Sequence, residues 1–114
     1  MAINTETYLQ IAVKDFCNLH KIPMIHVPNE GERKVSTGSL LKAMGMCKGF
    51  SDCFFPKGND LFKGLFIELK IKPNKPTEHQ IAFLQEMLSY GYDACVCYDI
   101  DEAMTVIKNF YHLK

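Results

Sequence analysis

Leu65-Phe66-Ile67-Glu68-Leu69-Lys70-Ile71 is an apolar run interrupted by two charges at alternate positions. Read as a β-strand, it puts Glu68 and Lys70 on one face, roughly 7 Å apart, and Ile67, Leu69 and Ile71 on the other. Glutamate is depleted in strands, so one inside so apolar a run calls for a chemical reason. Sixteen residues upstream, Asp52 follows the turn Lys48-Gly49-Phe50-Ser51 and opens a second short apolar strand, Cys53-Phe54-Phe55. Pro56-Lys57-Gly58-Asn59-Asp60 supplies the turn between the two. Two carboxylates on paired neighbouring strands, with a lysine ammonium one step away, are able to hold a divalent cation. That set suits metal-assisted hydrolysis of a phosphodiester.

Outward from this pair, the pattern predicts a first helix over residues 5–19. Leu9, Ala12, Val13, Phe16 and His20 share one face, and Asn4 or Thr5 caps the start. Residues 22–27 read as a strand that Pro23 confines to an edge or entry position. A glycine- and charge-rich loop follows, Pro28-Asn29-Glu30-Gly31-Glu32-Arg33-Lys34, then a short helix over 40–44 capped by Ser39 and ended by Gly45. Lys72-Pro73-Asn74-Lys75-Pro76 breaks the second site strand. A helix over 77–90 has Ile81, Leu84, Met87 and Leu88 as its inner face and Gly91 as its stop. Residues 94–98 form a strand. Asp99 to Glu102 spell a capping box for a last helix whose core face is Ile100, Ala103, Met104, Ile107 and Tyr111. The order is αβ(α)ββαβα: an α/β fold with a small mixed β-sheet of about four strands flanked by helices, one domain over residues 1–114.

At 47% hydrophobic and 23% charged, the 114-residue chain has enough apolar content to form one core. No apolar stretch approaches the ~18 residues that cross a bilayer, and the polar start is no signal peptide, so the expected location is the cytoplasm, with no membrane partner. Five cysteines, an odd number, fit reduced thiols better than a disulfide framework. Cys95-x-Cys97 has no second pair at zinc-site spacing, and small buried thiols are the simpler reading. The net charge of zero argues against a generic nucleic-acid binder, but the charge is unevenly spread. Residues 33–75 carry nine basic against three acidic side chains, and the flanks carry four basic against ten acidic. The half that contains the carboxylate pair is therefore the basic half, which fits a polyanionic substrate.

Pro28-Asn29-Glu30-Gly31, Gly49-Phe50-Ser51-Asp52, Ile67-Glu68-Leu69-Lys70 and the helix-opening Gln80 occur in this order. On these residues the chain resembles the virus-type replication-repair nuclease (VRR-NUC) domain, a branch of the restriction-endonuclease-like superfamily named for its Asp…(Asp/Glu)-x-Lys motif. The likeness runs from Glu6 to Phe110. The bare motif recurs by chance in many proteins; its combination with Gly-Phe-Ser-Asp, Asn-Glu-Gly and the glutamine is more specific. Ser51 stands where many relatives have proline.

The resemblance implies a restriction-endonuclease-like fold and a Mg2+-dependent (or Mn2+-dependent) DNA endonuclease that leaves 5′-phosphates. It makes Asp52 and Glu68 metal ligands, joined by the carbonyl of Leu69 and approached by Glu6 from the first helix. Asp52, Glu68, Lys70 and Gln80 form the catalytic set. Each has a plainer reading beside it: Asp52 as a turn cap, Glu68 as a strand partner of Lys70, Lys70 as an exposed strand end, Glu6 as a first-turn acid. Thr77-x-x-Gln80 is also a legitimate capping box. In the 28–34 loop, Asn29 and Arg33 are the substrate-binding candidates, Arg33 by gripping a phosphate bidentately. His26 alternates along its strand and stays outside the site. Likeness to small phage-type members implies a homodimer acting on branched DNA such as a four-way (Holliday) junction, in a bacterial or phage-infected cell. Two rivals are a non-catalytic nucleic-acid-binding module on the same fold and a small interaction protein whose acids are surface residues.

Overall fold

The computed structural model describes residues 5–26 and 51–113. In chain order they form α1 (Thr5–Leu19), β1 (Ile25–His26), β2 (Cys53–Phe55), β3 (Leu65–Leu69), α2 (Glu78–Ser89), β4 (Asp93–Cys97) and α3 (Ile100–Tyr111). The sheet runs β1-β2-β3-β4, so neighbours in sequence are neighbours in space. β1–β2 and β2–β3 are antiparallel, while β3–β4 is parallel and uses α2 as its crossover. The mixed α/β sheet and the order of elements match the sequence reading. The short helix over 40–44 falls outside the described residues, as does the 28–34 loop.

Every residue of β3 is buried, as expected of a strand covered on both faces. Leu65, Ile67 and Leu69 join Cys53 and Phe55 of β2 on one face. There they meet Leu9, Val13 and Cys17 of α1 and Ala103, Ile107 and Phe110 of α3. Phe66 looks the other way, toward α2, and clusters with Phe54, Tyr92, Ala94, Val96, Phe83, Leu84 and Met87. Phe54 stacks on Phe66 at 4.6 Å between centroids, and Phe83 meets Phe66 edge-on at 5.3 Å. Glu68, two residues beyond Phe66, therefore emerges on the α2 face.

Several helix details correct the sequence reading. In α1 the buried seam is Leu9, Val13 and Cys17, while His20, assigned to the inner face, is exposed beyond the helix end. The helix stops because Lys21 takes a left-handed conformation (φ 57°). Lys21 N–H then bonds to Asn18 O at 3.2 Å and Ile22 N–H to Cys17 O at 2.8 Å, a Schellman motif with lysine where glycine is usual. α2 is rotated by one position from its expected phase. Gln80, Phe83 and Leu84 are buried, while Ile81 and Leu88 are 43% and 46% exposed. The inward placement of Gln80 sets this phase, with Phe83, Leu84 and Met87 following at the i+3, i+4 and i+7 positions. Gly91 (φ 97°) ends α2 as predicted, in a second Schellman motif.

In α3 the buried residues are Ala103, Ile107 and Phe110; Met104 and Tyr111 are only half-buried. Its capping box is half formed. Asp99 accepts from Glu102 N–H at 2.8 Å, but the Glu102 carboxylate reaches Tyr98 N–H instead of Asp99 N–H. β1 begins at Ile25 and not at Ile22, because Ile22 and Met24 turn into the main core; it is the edge strand that Pro23 anticipates, and Val27 lies outside the described residues. β4 lies one residue earlier than expected. The turn between β2 and β3 is tied to α3: Asn59 Oδ1 accepts from Leu61 and Phe62 N–H, Asn59 Nδ2 donates to Phe110 O, and Tyr111 OH donates to Lys57 O. The four described cysteines are free thiols, and among the described residues no helix is long and apolar enough to cross a membrane.

Candidate active site

β2 and β3 pair with Cys53 opposite Ile67, so one step along this antiparallel ladder sets Asp52 opposite Glu68. Both side chains are 1% exposed. Directly opposed like charges destabilise a sheet, and burial removes the water that would screen them. The Glu68 carboxyl responds: burial first, and Asp52 second, push its pKa from the ordinary 4.5 to about 8, with Lys70 pulling the other way.

Each carboxylate is gripped at one oxygen. Asp52 Oδ2 accepts the Leu69 N–H at 2.9 Å. Glu68 Oε2 accepts from Gln80 Nε2 at 2.9 Å and lies 3.7 Å from Lys70 Nζ. The other two oxygens, Asp52 Oδ1 and Glu68 Oε1, are buried without a hydrogen-bond partner, as is Ser51 Oγ. An unsatisfied buried acceptor costs about 1–3 kcal/mol, more when charged. Two such oxygens from opposed acids are what a hard divalent cation binds, and a cation there relieves both the repulsion and the missing partners. Among the described residues no three His, Cys, Asp or Glu side chains gather as a cation site. The carboxylate pair, a main-chain oxygen and waters would complete the shell, a donor set Mg2+ accepts.

The structure thus brings together Asp52, Glu68, Lys70 and Gln80, from β2, β3 and α2. Lys70 follows the end of β3, is 13% exposed and is held by its N–H on Cys97 O. Leu69, buried between Glu68 and Lys70, anchors Asp52 through its N–H. Glu6 is half-buried in the first turn of α1, a helix whose seam packs on the opposite face of the sheet, and it makes no trio with the acidic pair. Asn29 and Arg33 lie outside the described residues. Two neighbours of Asp52 escaped the sequence reading. Ser51 is 1% exposed and has an unpartnered hydroxyl. His26, considered and set aside, places Nδ1 3.2 Å from Asp52 O. The β1–β2 register, which sets His26 opposite Cys53, accounts for its approach and is not written in local pattern.

No family model matches this chain, and no curated protein matches it. A solved structure described as "VRR_NUC domain protein" superposes with a TM-score of 0.82 over 99% of this chain and 93% of the matched one, at 23% identity. The resemblance read from the sequence is met at the level of architecture: this chain has the fold of that VRR_NUC domain protein.

Proposed function

We propose that this chain is a Mg2+-dependent (or Mn2+-dependent) endodeoxyribonuclease that hydrolyses phosphodiester bonds. The observation that carries the reading is the opposed pair Asp52 and Glu68, buried, with one unpartnered oxygen each and with Lys70 alongside. Such a pair lowers the stability of the metal-free fold and has no packing purpose, which is the signature of a site kept for chemistry. A module that only bound phosphates would gain nothing from two acids at this place.

Asp52 Oδ1 and Glu68 Oε1 would hold the ion, with the Leu69 carbonyl as a third donor. A bound divalent cation supplies charge stabilisation at the phosphoryl oxygens and a water of lowered pKa. The chain's own groups do the rest. Leu69 N–H and Gln80 Nε2 fix the two carboxylates so that little reorganisation is needed. Lys70 Nζ, beside Glu68 and partly open to solvent, orients the attacking water or grips a phosphate oxygen. Asn29 and Arg33 extend the contact to the DNA backbone, and the basic stretch from 33 to 75 supplies the wider attraction.

The finer assignment is a homodimer acting in the cytoplasm of a bacterial or phage-infected cell on branched DNA such as a four-way junction. Two-fold symmetry would match two sites to two strands of such a junction. The test is incubation of wild type, Asp52→Asn and Lys70→Ala with supercoiled plasmid and a synthetic four-way junction, in Mg2+ and in EDTA. Cutting in Mg2+ by wild type alone is the expected result, with losses of about a hundredfold or more in both variants. Binding without cutting by wild type would leave a nucleic-acid-binding module instead.

A further inference from the structure

The N-terminus of α2 does two jobs at once. Gln80 Oε1 accepts the Thr77 backbone N–H at 2.8 Å, Thr77 Oγ1 accepts the Gln80 backbone N–H at 3.2 Å, and Gln80 Nε2 donates to Glu68 Oε2 at 2.9 Å. Flipping the Gln80 amide would turn its NH2 toward the Thr77 N–H, donor against donor, and would break the bond from Nε2 to Glu68 Oε2. The main chain at residue 77 therefore dictates which end of the amide meets the acid. Gln80 is 8% exposed and Glu68 1%, so neither has water to fall back on.

We infer that Thr77 is a positioning residue of the site: its backbone N–H latches the Gln80 amide so that Glu68 Oε2 is always occupied and Glu68 Oε1 alone is presented to the cation. This rests on the reading of Asp52 and Glu68 as a cation site. The same division holds at the other acid, where the Leu69 N–H takes Asp52 Oδ2 and leaves Oδ1. Each carboxylate thus offers one oxygen, a monodentate pair suited to a small octahedral ion. The working group is the N–H of Thr77 and not its hydroxyl, which serves the helix cap.

That distinction makes the inference testable. Thr77→Ala removes the hydroxyl and keeps the N–H. Thr77→Pro removes both, and the φ of −72° at Thr77 already suits proline. The two variants share the loss of the cap, so any loss of helix stability from that source appears in both. Mn2+ affinity of the DNA-free protein is measured by calorimetry, with helix content followed by circular dichroism. Thr77→Ser and Thr77→Ala should bind Mn2+ within about twofold of wild type, and Thr77→Pro about tenfold more weakly, as losses in the outer shell of metal sites do. Equal affinities in Thr77→Ala and Thr77→Pro would overturn the latch while leaving the cation site standing. A wild type that binds no Mn2+ would overturn both. Should Thr77→Pro fail to fold, Gln80→Met removes the amide while keeping length and helix propensity. A tenfold loss there supports the inference, and unchanged affinity refutes it.

Discussion

Replacing Glu68 by glutamine should change how the metal-free protein's stability depends on pH. Below pH 4.5 the Glu68 carboxyl is protonated in both folded and unfolded chains and contributes nothing to the pH dependence. Between 4.5 and about 8 the unfolded chain releases this proton while the folded chain keeps it. Each pH unit then favours unfolding by about 1.4 kcal/mol. Over the window from 4.5 to about 8 the loss reaches on the order of 4 kcal/mol, a large share of the ~5–15 kcal/mol that holds a domain together. Glutamine keeps the volume and an acceptor for Gln80 Nε2 but cannot ionise. The chain has no tryptophan, so urea unfolding in EDTA is followed by far-ultraviolet circular dichroism. The difference between Glu68→Gln and wild type cancels the histidines and other acids that titrate in both. It should widen steadily in favour of the variant from about pH 5 to about pH 8. Saturating Mg2+ should shrink it by stabilising wild type alone. A difference that stays constant across this range would refute the view that Glu68 bears the electrostatic burden of the site.

Lys21→Gly should stabilise the protein by about 1 kcal/mol, because the left-handed backbone at Lys21 is costly for any residue with a Cβ; thermal unfolding measures it. Asn59→Ala should cost about 2–3 kcal/mol by the same assay, since one side chain makes three hydrogen bonds that tie the β2–β3 turn to itself and to α3. Cleavage by Asn59→Ala, measured well below its melting point, should stay close to wild type, because no atom of Asn59 touches the carboxylate pair.

The carboxylate pair and its lysine were readable because strand geometry leaves little choice. Glu68 and Lys70 must share a face, and Asp52 is one residue from a strand whose partner contains Glu68. Gln80 announced itself in the capping box Thr77-x-x-Gln80. The inner face of α2 was misread for a definite reason. Ile81, Leu84, Met87, Leu88 and Gln80, Phe83, Leu84, Met87 both follow helical spacing and share two members, so hydropathy favours the wrong set. Only Glu68 beneath the helix breaks the tie, and that is tertiary information. Lys21 gave no stop signal because helices usually mark such a turn with glycine. Glu102 bonds one residue earlier than its capping box implies, a shift of a single peptide that sequence spacing does not resolve.

The groups that hold the two carboxylates by hydrogen bond or charge, Leu69, Lys70 and Gln80, come with the acids from one unbroken run between residues 52 and 80. The buried seams of α1 and α3 hold up the far side of the sheet. The carboxylate pair with its immediate partners and the scaffold behind the sheet therefore come from separate stretches of chain. The outer helices are free to drift in sequence so long as they still cover Ile67 and Leu69, while the central run tolerates little change. A segment built this way is also a natural unit for transplantation, needing from its host only a strand to pair beside β3 and a surface to shield its back.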